Sequence, residues 1–199
     1  MAFTAEFLRE TPSPASWPGK VCRRTGEFDA FEFVEASDFL ANETLVPGQE
    51  GVLVVLVRDG RKVLKAARYF EHGCEEPFTL NGRTLIYTDS AADLRYRARQ
   101  HVRGSAGVSQ LRRTLIAADL MLGAIESTGM PECVVRGSES ALTRWLGANA
   151  MIGFIQCERG DVLARRLLRD TPSPLNIWTR RESRFADRMR LATHEVYGQ

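Results

Sequence analysis

Three kinds of hydrophobic patterning divide the chain. The longest is a helical stripe: Leu111, Leu115, Ala118, Leu122 and Ile125 recur at steps of four, three, four and three within residues 100–127, the spacing of one face of an α-helix. The second is the short apolar run, clearest in V-L-V-V-L-V from Val52 to Val57, which suits a buried strand. The third is alternation. Between residues 94 and 102, Leu94, Tyr96, Ala98 and Gln100 interleave with Arg95, Arg97, Arg99 and His101, which predicts a strand with one basic face. A helix starting near Ala91, capped by Asp89 or Ser90, competes with that strand.

Turn residues set the order of the remaining elements. Residues 27–34 (E-F-D-A-F-E-F-V) read as a first strand, and 36–45 as a helix capped by Ser37 and stopped by Pro47-Gly48. Residues 51–70 read as a hairpin about Asp59-Gly60, and residues 150–157 and 162–168 as a second hairpin across Glu158-Arg159-Gly160-Asp161. Asn81-Gly82 marks a further turn before a short strand at 84–88. A strand is expected at 132–136, a helix at 138–146 capped by Ser138, and a last helix at 179–197 docked by Phe185 and Met189. Two proline-rich corners interrupt this order. L-R-E-T-P-S-P-A-S-W at 8–17 is echoed by L-R-D-T-P-S-P-L-N-I-W at 168–178. Ten or eleven residues are too few for a repeated unit, so the echo predicts two similar corners, each burying a Trp, with coincidence or a partner-docking motif as the alternatives.

Composition narrows the class. With 199 residues, 44% hydrophobic and 26% charged, the chain fits one globular domain with appendages. No apolar run approaches the ~20 residues of a membrane helix. The N-terminus carries acid where an export signal carries base, and Cys22, Cys74, Cys133 and Cys157 have no C-x-x-C spacing. The expectation is a cytoplasmic protein without a zinc site or disulfide framework. The formal charge of +2, with 25 acids among the arginines, disfavours nucleic acid as a partner. There is no Gly-x-Ser-x-Gly, Walker loop or His-Glu-x-x-His.

The candidate chemistry lies just before the long helix. The turn Arg103-Gly104-Ser105-Ala106-Gly107 lacks bulky side chains, and Ser109 stands where it can cap the helix. Free backbone N–H groups there, at the positive end of the helix dipole, suit a phosphate. Tyr96, Asp93 and His101 are the nearby acid–base candidates, and Glu75 and Glu76 could meet a cationic substrate.

The order strand, helix, two-strand hairpin, strand, glycine loop, long helix, strand, helix, hairpin resembles the GCN5-related N-acetyltransferase family over residues 28–168. R-G-S-A-G-V-S-Q-L is similar to that family's Arg/Gln-x-x-Gly-x-Gly/Ala loop. The segment S-E-S-A-L-T-R-W-L-G-A-N-A-M-I-G-F is similar to a later family stretch, with Trp145 where a tyrosine often stands. The resemblance implies an α+β fold: a mixed, mostly antiparallel sheet with helices on both faces, after an N-terminal extension (1–26) and before a basic helical tail (169–199). It implies an N-acyltransferase with acetyl-coenzyme A as cosubstrate and a small-molecule or protein amine as acceptor. Val102, Arg103, Gly104, Ser105, Ala106, Gly107, Val108 and Ser109 would bind the cosubstrate, with Tyr96 and Asp93 catalytic. No membrane partner is expected, and a homodimer is compatible. Two other classes compete: an inactive module of the same fold, phage-derived, and a nucleic-acid binder using the arginine-rich segments.

Overall fold

The computed structural model describes residues 26, 28–72, 74–122, 139–171, 173–179 and 183–197. The expected strand at 132–136, the end of the long helix and the first proline-rich corner lie outside these residues. Five strands, β1 (Glu32–Glu35), β2 (Gly51–Arg58), β3 (Thr79–Leu80), β4 (Arg83–Ala91) and β5 (Ala150–Gln156), form one sheet in the order β1-β5-β2-β4-β3. Every neighbouring pair is antiparallel. The helices are α1 (Ala36–Ala41), α2 (Gly60–Ala66), α3 (Leu94–Arg103), α4 (Gln110–Leu122), α5 (Glu139–Asn149), α6 (Gly160–Asp170) and α7 (Arg184–Tyr197). The fold is α+β, as the sequence predicts. Among the described residues no helix is long and apolar enough to cross a membrane.

The alternation of a strand explains why both faces are covered. Leu53, Val55 and Val57 of β2 join one apolar cluster with residues of α3, α4, α5 and α7. Val52, Val54 and Leu56 join a second cluster, with Phe28, Phe31, Phe78 and the α6 residues Ala164 and Leu167. A strand buried on both sides reads as a continuous apolar run because each face demands its own set. The last helix begins at Arg184 rather than at 179, where the chain is in a turn, and it docks through the expected residues: Phe185, Ala186 and Met189 are fully buried and Phe185 meets Tyr69 edge-on at 5.0 Å between ring centroids.

Both expected hairpins are instead strand–helix units. Asp59 (φ 52°) and Arg159 (φ 61°) adopt the left-handed conformation that a hairpin turn also uses. The chain then enters α2 and α6. A Cβ on Gly60 would lie 2.6 Å from Thr84 Cβ, and one on Gly160 would lie 2.5 Å from the Gly51 carbonyl oxygen. These glycines therefore serve the close approach of a helix start to the sheet. The deciding signal follows them: Val63, Leu64 and Ala67 are buried after one, Ala164 and Leu167 after the other, a spacing of three to four rather than two. Among the described residues, Asn81-Gly82, with φ of 50° and 73°, closes a true two-residue hairpin between β3 and β4.

Residues 94–103 form a helix, not a strand. Asp93 caps it by accepting a hydrogen bond from Tyr96 N at 2.8 Å. Its buried residues Leu94, Ala98, His101 and Val102 follow helical steps. The alternating arginines coincide with the strand pattern without lying on a strand.

Candidate active site

A register fault in β4 begins the site. Val55 pairs with Tyr87 but Leu56 pairs with Leu85, so Ile86 is an extra residue on β4. Such a bulge re-aims the side chains beyond it. Leu85 belongs to the α6 side of the sheet, whereas both Ile86 and Tyr87 belong to the side covered by α3 and α4. Tyr87 meets His101 of α3 edge-on, at 5.1 Å between centroids. Asp89, two residues further, is 3.2 Å from His101 Nε2 and 3.5 Å from Arg97 Nε through its Oδ2. Arg97 and His101 stand one helical turn apart on α3, which places both over the same strand.

His101 is held from two sides. Arg112 N donates to Ser109 Oγ at 3.2 Å, which leaves the hydroxyl proton for His101 Nδ1 at 2.8 Å. Nε2 then carries the ring proton and donates to Asp89. Burial lowers the pKa of this imidazole, with Asp89 opposing the shift, so the ring is neutral at pH 7. The chain Ser109–His101–Asp89 has the members of a hydrolytic triad, but Ser109 and His101 are both buried and cannot meet a substrate. Their role is to orient Asp89. Arg112 braces the arrangement: fully buried, it donates to Glu139 Oε2 (2.7 Å), Glu139 O (2.7 Å) and Val102 O (2.8 Å).

Tyr87, Asp89, Arg97, Val108, Gln110, Arg113 and Trp178 line a cleft of about 340 Å³. The Tyr87 hydroxyl donates to Gln110 Oε1 at 3.3 Å. Burial, with the charge of Asp89, pushes its pKa well above the usual phenol range, so it keeps its proton. Arg113 is anchored across the carbonyls of Ala106 and Gly107, both at 3.1 Å. The cleft thus holds two guanidinium groups, a protonated phenol and, among the described residues, one carboxylate.

The expected site residues fall elsewhere, with two exceptions. Tyr96 points outward, 55% exposed, and Asp93 is the cap of α3; neither lines the cleft. In the loop, amides that would have faced a phosphate are turned inward. Gly104 N donates to Arg99 O, Ala106 N to Glu139 Oε1, and Val108 N and Ser109 N to Ser105 O. Val102, Ala106 and Ser109 are buried, and Arg103 pairs with Glu43. Only Val108 reaches the cleft from that set, while Gly107 contributes a carbonyl to Arg113. Trp145 is a buried residue of α5, Glu76 pairs with Arg61, and the Glu75 carbonyl accepts from Tyr69. His101 is the one acid–base candidate that the structure brings to the site. Tyr87, Asp89, Gln110 and Trp178 were not signalled by spacing; Arg113 is legible in the sequence as positive charge close behind the glycine turn, and Arg97 shares a face with His101 once α3 is read as a helix.

The family model of the GIY-YIG catalytic domain matches residues 67–193, well over half of the chain, and the protein belongs to that family. Comparison with curated proteins gave no match, and neither did comparison with solved structures. Every residue lining the cleft lies inside the matched span. The match overturns the acetyltransferase resemblance, and with it acetyl-coenzyme A, the amine acceptor and the exclusion of nucleic acid. It describes a catalytic domain and gives no support to an inactive module. The physical counterpart is the loop: the amides of Gly104, Ala106, Val108 and Ser109 are already engaged within the protein and are not offered to a pyrophosphate.

Divalent cations often serve phosphodiester chemistry, held by one or two carboxylates and the substrate's own phosphate. Among the described residues no three His, Cys, Asp or Glu side chains gather. Asp89, the single acid of the cleft, already accepts from His101 and from Ser90 N. This donor set does not fit a metal held by the protein alone.

Proposed function

We propose that this protein is a nuclease, hydrolysing a phosphodiester bond of nucleic acid in the cleft between β4 and α3. The observation that carries the reading is the gathering of two arginines, a tyrosine hydroxyl and a lone carboxylate in one cleft, within the span that matches a GIY-YIG catalytic domain. Guanidinium groups are the best matched side chains for phosphate oxygens. Arg97 stands beside the carboxylate, and Arg113, on α4, is tied to the carbonyls of Ala106 and Gly107, so a phosphate between them meets positive charge with little reorganisation. Asp89, oriented by His101, accepts the proton of the attacking water. The water oxygen bonds to phosphorus as the bond to the leaving sugar oxygen breaks, and that oxygen takes a proton from solvent. Tyr87, buried and donating to Gln110, holds that amide at the cleft wall and does not act as the base, because its proton is held too tightly.

The test is cleavage of end-labelled single-stranded DNA, duplex DNA and RNA by the purified protein, with Asp89→Asn alongside. The reading expects shortened products from the wild type and a rate lower by about 10²-fold or more in the variant, the range of one general-base contribution. No product from any substrate, with or without added divalent cations, rejects it.

A further inference from the structure

Trp178 lines the cleft with an exposed aromatic face, and its setting is unusual. Ser173, Pro174, Leu175, Asn176 and Ile177 before it are all buried, yet the indole is 49% exposed. The corner was expected to bury this Trp; it presents it instead. The backbone that carries it is fixed to the open edge of β4. Leu175 N donates to Ile86 O at 2.9 Å, Asn176 Oδ1 accepts from Thr88 N at 2.9 Å, and Asn176 Nδ2 donates to Thr88 O at 2.7 Å. Ser173 Oγ and Thr88 Oγ1 lie 2.6 Å apart, and Arg190 holds Ile177 O at 2.5 Å. An exposed indole on so rigid a support, in the lining that also contains Arg97 and Arg113, combines a stacking face with phosphate-pairing charge. That combination is how single-stranded nucleic acid is held.

We infer that Trp178 stacks on an unpaired base next to the scissile phosphate, so that the substrate is nucleic acid that is single-stranded or bulged at the cut. The inference rests on the nuclease reading and adds the substrate's strand state to it. In a regular duplex each base is already stacked and paired, and no face is open to the indole. Val108, exposed on the same lining, adds apolar contact. DNA and RNA both offer this chemistry, since every base has a π-face.

The experiment compares three labelled substrates of one sequence, single strand, full duplex and duplex with a one-nucleotide bulge, each as DNA and as RNA. Cleavage and fluorescence-anisotropy binding are measured for wild type, Trp178→Ala and Trp178→Phe. The wild type should prefer unpaired substrates by about tenfold or more, the ratio should collapse toward one in Trp178→Ala, and Trp178→Phe should restore most of it. Cleavage without a strand preference, or an equal loss on all substrates in Trp178→Ala, overturns the inference and leaves the nuclease reading standing. Absence of cleavage with a tenfold loss of single-strand affinity in Trp178→Ala does the reverse. Absence of both cleavage and binding removes both.

Discussion

Asp89 takes part in three relationships at once: it accepts from His101, faces Arg97, and helps hold the proton on Tyr87. The neutral form of His101 lets Nδ1 accept from Ser109 while Nε2 donates to Asp89. Burial depresses the pKa of His101 below its ordinary 6.5, so between that value and the lower folded-state value the unfolded chain binds the extra proton. Stability contributed by the neutral ring is therefore complete above pH 6.5 and is lost as the pH falls below it, by at most about 1.4 kcal/mol per pH unit. Urea unfolding of wild type and His101→Gln at pH 5 to 8 should show a steeper acid loss in the wild type; parallel profiles would count against a neutral buried ring. Arg112 makes a second residue-scale claim. Removing its guanidinium leaves the Val102 carbonyl without its donor and the Glu139 carboxylate without its charge partner, so Arg112→Met should cost about 3 kcal/mol. A change below about 0.5 kcal/mol in the same unfolding assay would show that the brace carries no weight.

At the scale of elements, the difference between expectation and structure lies in how glycine and arginine punctuate the chain. Asp59-Gly60 and Arg159-Gly160 supply the positive φ of a hairpin, and nothing in the pair itself says whether a strand or a helix comes next. The answer lies in the three- to four-residue spacing of Val63, Leu64, Ala67 and of Ala164, Leu167. Residues 94–103 were ambiguous for a similar reason: arginines at every second position imitate a strand, while Asp93 and the stripe Leu94, Ala98, His101 specify a helix. The bulge at Ile86 left no mark in the sequence, because it is a mismatch of registers between two strands. Gly160→Ala tests the close approach of α6 to β2. Its Cβ would meet backbone atoms of Gly51 that cannot turn aside, and the expected destabilisation is about 1–3 kcal/mol. Gly107→Ala, whose Cβ would meet only Ser105 Oγ at 3.4 Å, should shift the unfolding midpoint little. Equal midpoints for the two variants would show that the helix start is not tightly packed.

For the whole molecule, the fold class was legible from hydrophobic periodicity, and the reaction centre was not. Tyr87, Arg97, Gln110 and Trp178 come from a strand, two helices and a distant corner, and only the topology makes them neighbours. The net charge of +2 misled because it averages over the surface. Glu43 is spent on Arg99 and Arg103, Glu35 on Arg83 and Glu139 on Arg112, while the cleft keeps two arginines against one acid. Local charge at a site, not the total, decides whether a phosphate is welcome.

The central claim is that the cleft between β4 and α3 is the reaction centre, and two exposed faces of the same helix separate it from its rivals. Arg97 lines the cleft and Tyr96, its neighbour, points away from it. The decisive measurement is the single-turnover cleavage rate of a labelled single-stranded DNA by Arg97→Ala and Tyr96→Ala, with melting temperatures recorded for both. A cleft-centred nuclease predicts a fall of about 10²–10³-fold for Arg97→Ala and a rate within about twofold of wild type for Tyr96→Ala. Equal rates in the two variants, or a larger loss in Tyr96→Ala, would place the chemistry elsewhere and contradict the account.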